Sequence, residues 1–176
     1  MINPGRVLVT RPAGQERDLV DALERAGLEC RHAPLIEIRP FDQPDARQRQ
    51  LLLDLSEFQH LVFVSRNAIR HGMNWIEDHW PQLPVGLNWY TVGNSSAALL
   101  AEYGVTVMTP AEDMSSEGLL ALPGLQQLDE QRVLIIKGEG GRSLLREQLA
   151  ARGARVEELA VYRREVPPYL PGVTRR

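Results

Sequence analysis

The sequence predicts an α/β fold built on parallel sheets, and three observations predict it. Short apolar runs recur along the chain, at Val7 to Val9, Leu61 to Val64, Trp89 to Val92 and Val133 to Lys137. Each leads into a polar turn: Thr10-Arg11-Pro12, Ser65-Arg66-Asn67, Gly93-Asn94-Ser95-Ser96 and Gly138-Glu139-Gly140-Gly141-Arg142. Each turn then gives way to a segment with helical periodicity. Strands alternating with crossover helices are the pattern of βαβ units, in which neighbouring strands run parallel. Parallel strands align their carboxyl ends, so the four polar turns gather along the carboxyl edges of their sheets, where open α/β folds hold ligands.

The elements follow in order. Val7 to Thr10 is a strand, and Gln15 to Ala26 places Leu19, Val20, Leu23 and Ala26 on one helical face, with Gly27 closing the helix. Glu29 to Pro40 is extended and interrupted by Pro34. These residues make a single βαβ unit, too small to enclose a core alone. A polar helix over Asp45 to Leu55 precedes the strand His60 to Val64, and a helix follows from about Asn67 to Asp78. Pro81 and Pro84 mark a loop before the strand Trp89 to Val92. Ser95 to Tyr103 is helical and ends at Gly104; Val105 to Pro110 is a short strand stopped by its proline. Ser115 or Ser116 caps a helix reaching Leu122. Arg132 to Arg164 is a complete unit: a buried strand, the glycine-rich turn, an amphipathic helix, and a strand ending at Tyr162 before the basic pair Arg163 and Arg164. The proline-rich tail from Val166 to Arg176 carries no further element.

Composition excludes several classes. With 176 residues, 43% of them hydrophobic, and a mean hydropathy of -0.26, the chain reads as an ordinary globular protein. No apolar run approaches the roughly 18 residues that span a bilayer, and Met1 to Pro12 lacks the apolar core of a signal peptide, so the expected location is the cytoplasm with no membrane partner. Net charge is -3, and the 20 Lys and Arg residues are interspersed with 23 acids, which leaves no basic stripe for nucleic acid. Cys30 is the only cysteine, so there is no intrachain disulfide and no thiolate cluster. His32, His60, His71 and His79 show no paired ligand spacing, and no metal site is expected.

The free N–H groups and the dipole at a helix amino end favour anions, so the polar turns point to an anionic ligand. Each candidate also has a structural alternative. The Gly138 to Arg142 turn fits neither the dinucleotide fingerprint nor the phosphate loop, and a purely structural glycine turn is the other reading. Ser65, Asn67 and the Asn94-Ser95-Ser96 run serve equally as helix caps or as ligand contacts. Tyr162 is either a satisfied core hydroxyl or a proton donor, and Lys137 either a binding group or a snorkelling strand end. No G-x-S-x-G elbow or H-E-x-x-H pair occurs. The residues by themselves specify an anion-binding α/β domain.

Taken together and in order, VLVTRP, VFVSRNAI, YTVGNSSAALLAEYGV and VLIIKGEGGRSLLREQLAARGARVEELAVYRR resemble the uroporphyrinogen-III synthase family, the VYRR ending being the most specific part. The resemblance implies two flavodoxin-like parallel-sheet domains joined by a two-stranded ladder, the first of them discontinuous and incomplete in this chain. Residues 1–40 are then the amino-terminal βαβ part of the first domain, residues 41–163 the second domain, and residues 164–176 a connector returning to the first. It also implies a hydro-lyase that needs no cofactor or metal and acts on hydroxymethylbilane, a linear tetrapyrrole with acetate and propionate on every ring. Loss of the substrate hydroxyl as water gives an azafulvene, the last ring attacks through its substituted carbon to form a spiro intermediate, and rearrangement closes the macrocycle with that ring inverted. Tyr162 matches the family tyrosine that donates a proton to the departing hydroxyl. Thr10, Arg11, Ser65, Asn67, Gly93, Ser96, Lys137, Gly138, Gly141 and Arg142 match the substrate-facing turns. A monomer at full family length and a transient contact with hydroxymethylbilane synthase complete the expectation. The alternative is a non-catalytic anion-binding α/β module derived from the same family.

Overall fold

The structure, a computed structural model, describes residues 5–168; residues 169–176, most of the expected connector, lie outside them. The chain divides into two compact units, one formed by residues 1–39 and 164–176 and the other by residues 40–163.

In the first unit, β1 (Arg6–Val9), α1 (Arg17–Arg25) and β2 (Glu29–His32) form one βαβ unit. The two strands pair in parallel, with Arg6 opposite Glu29 and Val9 opposite His32, as a helical crossover requires. Gly27 adopts a φ of 81°, the left-handed geometry that reverses the chain after α1 without a Cβ clash. Helix α1 buries no residue, and Leu8 is 61% exposed. Among the described residues of this unit only Val9 and Pro167 are buried, in keeping with the small area that two strands and one helix can cover.

The second unit contains the core. Its strands are β4 (His60–Phe63), β5 (Asn88–Thr91), β6 (Val107–Met108), β7 (Arg132–Gly138) and β8 (Arg155–Glu165), the last two residues of β8 belonging to the first unit. The strand order of the sheet is β3-β8-β7-β4-β5-β6, where β3 is Glu37–Pro40. The pairs β8-β7, β7-β4, β4-β5 and β5-β6 are all parallel. Every residue of β4 is buried, as expected of a central strand covered on both faces.

The helices cover those two faces. On one, α5 (Ser116–Leu120) and α6 (Leu144–Ala151) supply Leu119, Leu120, Leu145 and Leu149 to a cluster with Val62, Tyr90, Val133 and Ile135. On the other lies α3 (Arg66–His79), preceded by α2 (Ala46–Leu53) and neighboured by α4 (Asn94–Ala101). Gly72 brings α3 down onto β7: a Cβ there would stand 2.6 Å from the Ile136 side chain. No described helix is long and apolar enough to cross a membrane.

Several boundaries differ from those expected, each for a local reason. The Asp45 carboxylate accepts from the Gln48 N–H at 2.8 Å while the Gln48 side chain accepts from the Asp45 N–H at 2.9 Å. This capping box starts α2 cleanly, but the helix ends at Leu53 and a separate single turn covers Leu55–Glu57. The expected strand at Val105 to Pro110 shrinks to Val107–Met108, as is common at a sheet edge closed by a proline. Strand β8 runs three residues past Tyr162, to Glu165; exposed charged residues hide that extension from an apolar pattern.

Candidate functional site

Numbered by sequence, the five parallel strands of the second unit lie in the order 3-2-1-4-5. Both this order and the 2-1-3-4-5 order of flavodoxin place a reversal inside a parallel sheet, and the crevice at the carboxyl end of that reversal is where such folds bind ligands. Here the reversal falls between β4 and β7. The loop leaving β4 carries Ser65, and the loop leaving β7 is the Gly138 to Arg142 turn.

Ser65 is extended, with φ -168° and ψ 163°, and caps α3: its Oγ accepts from the Ala68 N–H at 3.1 Å. The same Oγ lies 3.2 Å from the Tyr162 hydroxyl. Tyr162 reaches this position through an irregularity in the β7–β8 ladder. Ile136 pairs with Leu159 and Lys137 with Ala160, but Gly138 pairs with Tyr162, so one residue of β8 is passed over. The Glu139 N–H then donates to the Tyr162 carbonyl at 2.7 Å. The phenol ring occupies the space that a side chain at 138 would fill: a Cβ there would lie 2.6 Å from two ring carbons and 3.0 Å from the hydroxyl. His71, further along α3, sets its ring 6.0 Å from that of Tyr162, tilted by 54°. Burial, helped by the neighbouring Arg70 charge, holds His71 below the usual histidine range, so the ring beside Tyr162 is neutral near pH 7.

The structure therefore unites Ser65, Gly138 and Tyr162 and adds His71, which the sequence marked only as a histidine without a ligand partner. Asn67 sits half-buried in the first turn of α3. At the neighbouring turn Gly93 adopts a φ of 84° and starts α4 with no side-chain cap; the capping role expected of the Asn94-Ser95-Ser96 run is not taken up, because the glycine geometry turns the chain into the helix. Ser96 is buried, 5% exposed.

Lys137 goes elsewhere. It points to the α6 side of the sheet, where its ammonium meets the Glu158 carboxylate at 2.9 Å. There it lines a cleft of about 530 Å³ with Arg47, Arg146, Ser143 and the backbone of Gly138 to Gly141, a cleft that neither Ser65 nor Tyr162 lines. Gly140 and Gly141, with φ of 70° and 90°, shape the turn above it. Arg142 is exposed and lies 3.6 Å from the Glu117 carboxylate. Thr10 and Arg11 belong to the first unit and follow β1; the Thr10 carbonyl accepts from the Leu35 N–H, and the Arg11 carbonyl faces His32 Nε2 at 2.9 Å. Among the described residues no group of three His, Cys, Asp or Glu side chains is placed to hold a metal ion.

Comparison with known proteins agrees with this architecture. The family model described as uroporphyrinogen-III synthase HemD matches residues 17–175. The uroporphyrinogen-III synthase of Proteus mirabilis is 35% identical over 162 residues, which cover 90% of this chain and 79% of that protein. The enzyme of the same name from Escherichia coli is also 35% identical, over 90% of this chain but 64% of its own length, so this chain spans less than two thirds of that relative. Among solved structures, a mutant uroporphyrinogen III synthase from Thermus thermophilus superposes with a TM-score of 0.66 at 20% identity, covering 94% of this chain and 64% of that one. Uroporphyrinogen-III synthetase from Helicobacter pylori gives a TM-score of 0.51 at 16% identity, over 94% and 63% of the two chains. At such identities the structures speak for the fold, while the family model and the sequence relatives carry the assignment: this chain belongs to the uroporphyrinogen-III synthase family.

Proposed function

We propose that this chain carries the Tyr162 part of a uroporphyrinogen-III synthase site and takes part in closing hydroxymethylbilane to uroporphyrinogen III with inversion of the last ring. The observation that carries the reading is the Tyr162 hydroxyl held 3.2 Å from Ser65 Oγ at the reversal point of a parallel sheet, where an α/β fold presents its ligand. The reaction needs a proton on the departing hydroxyl, so that its carbon–oxygen bond breaks with the electron pair leaving on water. A phenol at that edge is a suitable general acid. The proton lost when the new ring regains aromaticity returns the phenolate to phenol, and the sum of products is uroporphyrinogen III and water.

The substrate carboxylates suit the surroundings. Ser65 forms the turn after β4 with Asn67 in the first turn of α3, Gly93 forms the turn after β5 with Ser96 in the first turn of α4, and Gly138 leads into the Gly141 and Arg142 turn after β7, while Lys137 belongs to the separate cleft on the α6 side. Thr10 and Arg11 are the matching polar turn of the first unit. Transient delivery of the substrate by hydroxymethylbilane synthase fits a substrate that closes spontaneously to the uninverted isomer.

The test is an assay that separates the two product isomers. Tyr162→Phe keeps the ring and removes the hydroxyl, and is expected to lower formation of the inverted isomer by roughly 10²-fold, the lower bound for a general acid. An unchanged rate removes Tyr162 from the chemistry.

A further inference from the structure

Tyr162 is 1% exposed, so its hydroxyl does not itself open onto the crevice. Ser65, only half-buried, touches that hydroxyl and lies in the turn that leaves β4 at the carboxyl edge. A serine oxygen accepts two hydrogen bonds and donates one. One acceptance at Ser65 is taken by the Ala68 N–H at 3.1 Å. When the Tyr162 hydroxyl, 3.2 Å away, takes the second, the serine proton is left for a third group, which in a loaded site is the substrate.

We infer that Ser65 is a proton relay: its hydroxyl gives a proton to the departing hydroxyl of the substrate while Tyr162 replaces that proton. The inference rests on Tyr162 being the proton source. In balance, the Ser65 O–H bond breaks and its proton forms the second O–H bond of the leaving water. The substrate carbon–oxygen bond breaks with its electrons on that water, and the pyrrole nitrogen lone pair fills the vacancy. The Tyr162 proton moves to Ser65 Oγ and leaves a phenolate, which recovers a proton when the closed ring system loses one. Once the relay has fired, Ser65 donates to the phenolate through the same contact. The positive amino end of the 14-residue helix α3, which Ser65 caps, lies beside that new negative charge.

Two readouts test this on the whole chain. With Cζ-labelled tyrosine, Ser65→Ala is expected to move the Tyr162 Cζ resonance and to leave that of Tyr90, whose hydroxyl faces His60 at 3.2 Å. An unmoved Tyr162 resonance overturns the relay, and this readout decides the matter wherever spontaneous closure hides turnover. In the isomer assay, Ser65→Asn preserves a good helix cap but transfers no proton. It is expected to slow the inverted product by the same factor as Tyr162→Phe, roughly 10²-fold, with the double variant no slower than either single one and with Ser65→Thr restoring most of the rate. If Tyr162→Phe is slow and Ser65→Asn is not, or if the two losses multiply, the relay is wrong and Tyr162 reaches the substrate directly. If Tyr162→Phe is itself silent, the reading of Tyr162 falls and takes the relay with it.

Discussion

The tightest contact at the site yields the most demanding prediction. A Cβ added at Gly138 would stand 2.6 Å from both Cε2 and Cζ of Tyr162, about 1 Å inside the 3.5–4.0 Å at which carbon atoms sit comfortably. The ring has little room to yield. Tyr162 is 1% exposed, its backbone is tied to the turn by the Glu139 N–H, and Ser65 and His71 stand against the ring. Overpacking of this kind costs about 1–3 kcal/mol, so Gly138→Ala should lower the urea midpoint without changing the slope and reduce Tm by about 2–12 °C for a chain of this size. Because relief requires the phenol to shift, the Ser65 contact should weaken too, and formation of the inverted isomer should fall with it. Combining Gly138→Ala with Tyr162→Val removes the ring that causes the clash, and a double-mutant cycle should show a coupling of about 1 kcal/mol or more. Gly140→Ala is the reference: at φ 70° with nothing within 4 Å, it should cost only backbone strain of about 1–2 kcal/mol and show no coupling to Tyr162. A Gly138→Ala chain within about 0.5 kcal/mol of the original, or full additivity in the cycle, would refute the seating of Tyr162 on Gly138.

Two further expectations follow from the surroundings. Arg142 and Glu117 are both largely exposed, at 76% and 54% for their side chains, so Arg142→Ala should change stability by no more than about 1 kcal/mol; if Arg142 contacts a substrate carboxylate, product binding should weaken by about 1–3 kcal/mol, more at low salt, and a titration insensitive to both would make the turn structural only. His71 is held below its ordinary value of 6.5 by burial first and by Arg70 second; the unfolded chain therefore binds the proton more readily, and the contribution of a neutral His71 is full above about 6.5 and is lost as pH falls from there through the folded value. Urea midpoints measured across that window should decline less steeply toward low pH in His71→Phe, and parallel curves would show that His71 does not titrate in the folded core.

How much was legible in the sequence depended on how local each feature is. A strand, a polar turn and a helix are adjacent in the chain, so the apolar runs before Ser65, Gly93 and Gly138 were enough to place three turns on one parallel sheet edge. Ser65 and Ser115 announce their helices by type and position, and both accept from the N–H three residues on. The Asn94 to Ser96 run shows where composition falls short: serine and asparagine are good caps in general, but the φ of 84° at Gly93 had already determined how α4 begins.

Of the candidate residues, Thr10 and Arg11 fall within residues 1–40, which the family resemblance assigned to a different domain from the candidates in residues 41–163. The tertiary structure puts them in another unit on another sheet, and sends Lys137 to the α6 side while its neighbour Gly138 meets Tyr162. Adjacent strand residues face opposite sides of a sheet, so two neighbours in a motif rarely serve one site. The sequence by itself determined the parallel α/β class, the polar carboxyl edge and the family. Only the folded chain decided that Tyr162, and not Val161, stands opposite Gly138, because that choice rests on a one-residue irregularity between strands joined through α6. A shift of one residue exchanges the faces of every side chain beyond it, and no local pattern in the VYRR segment records which way the exchange falls.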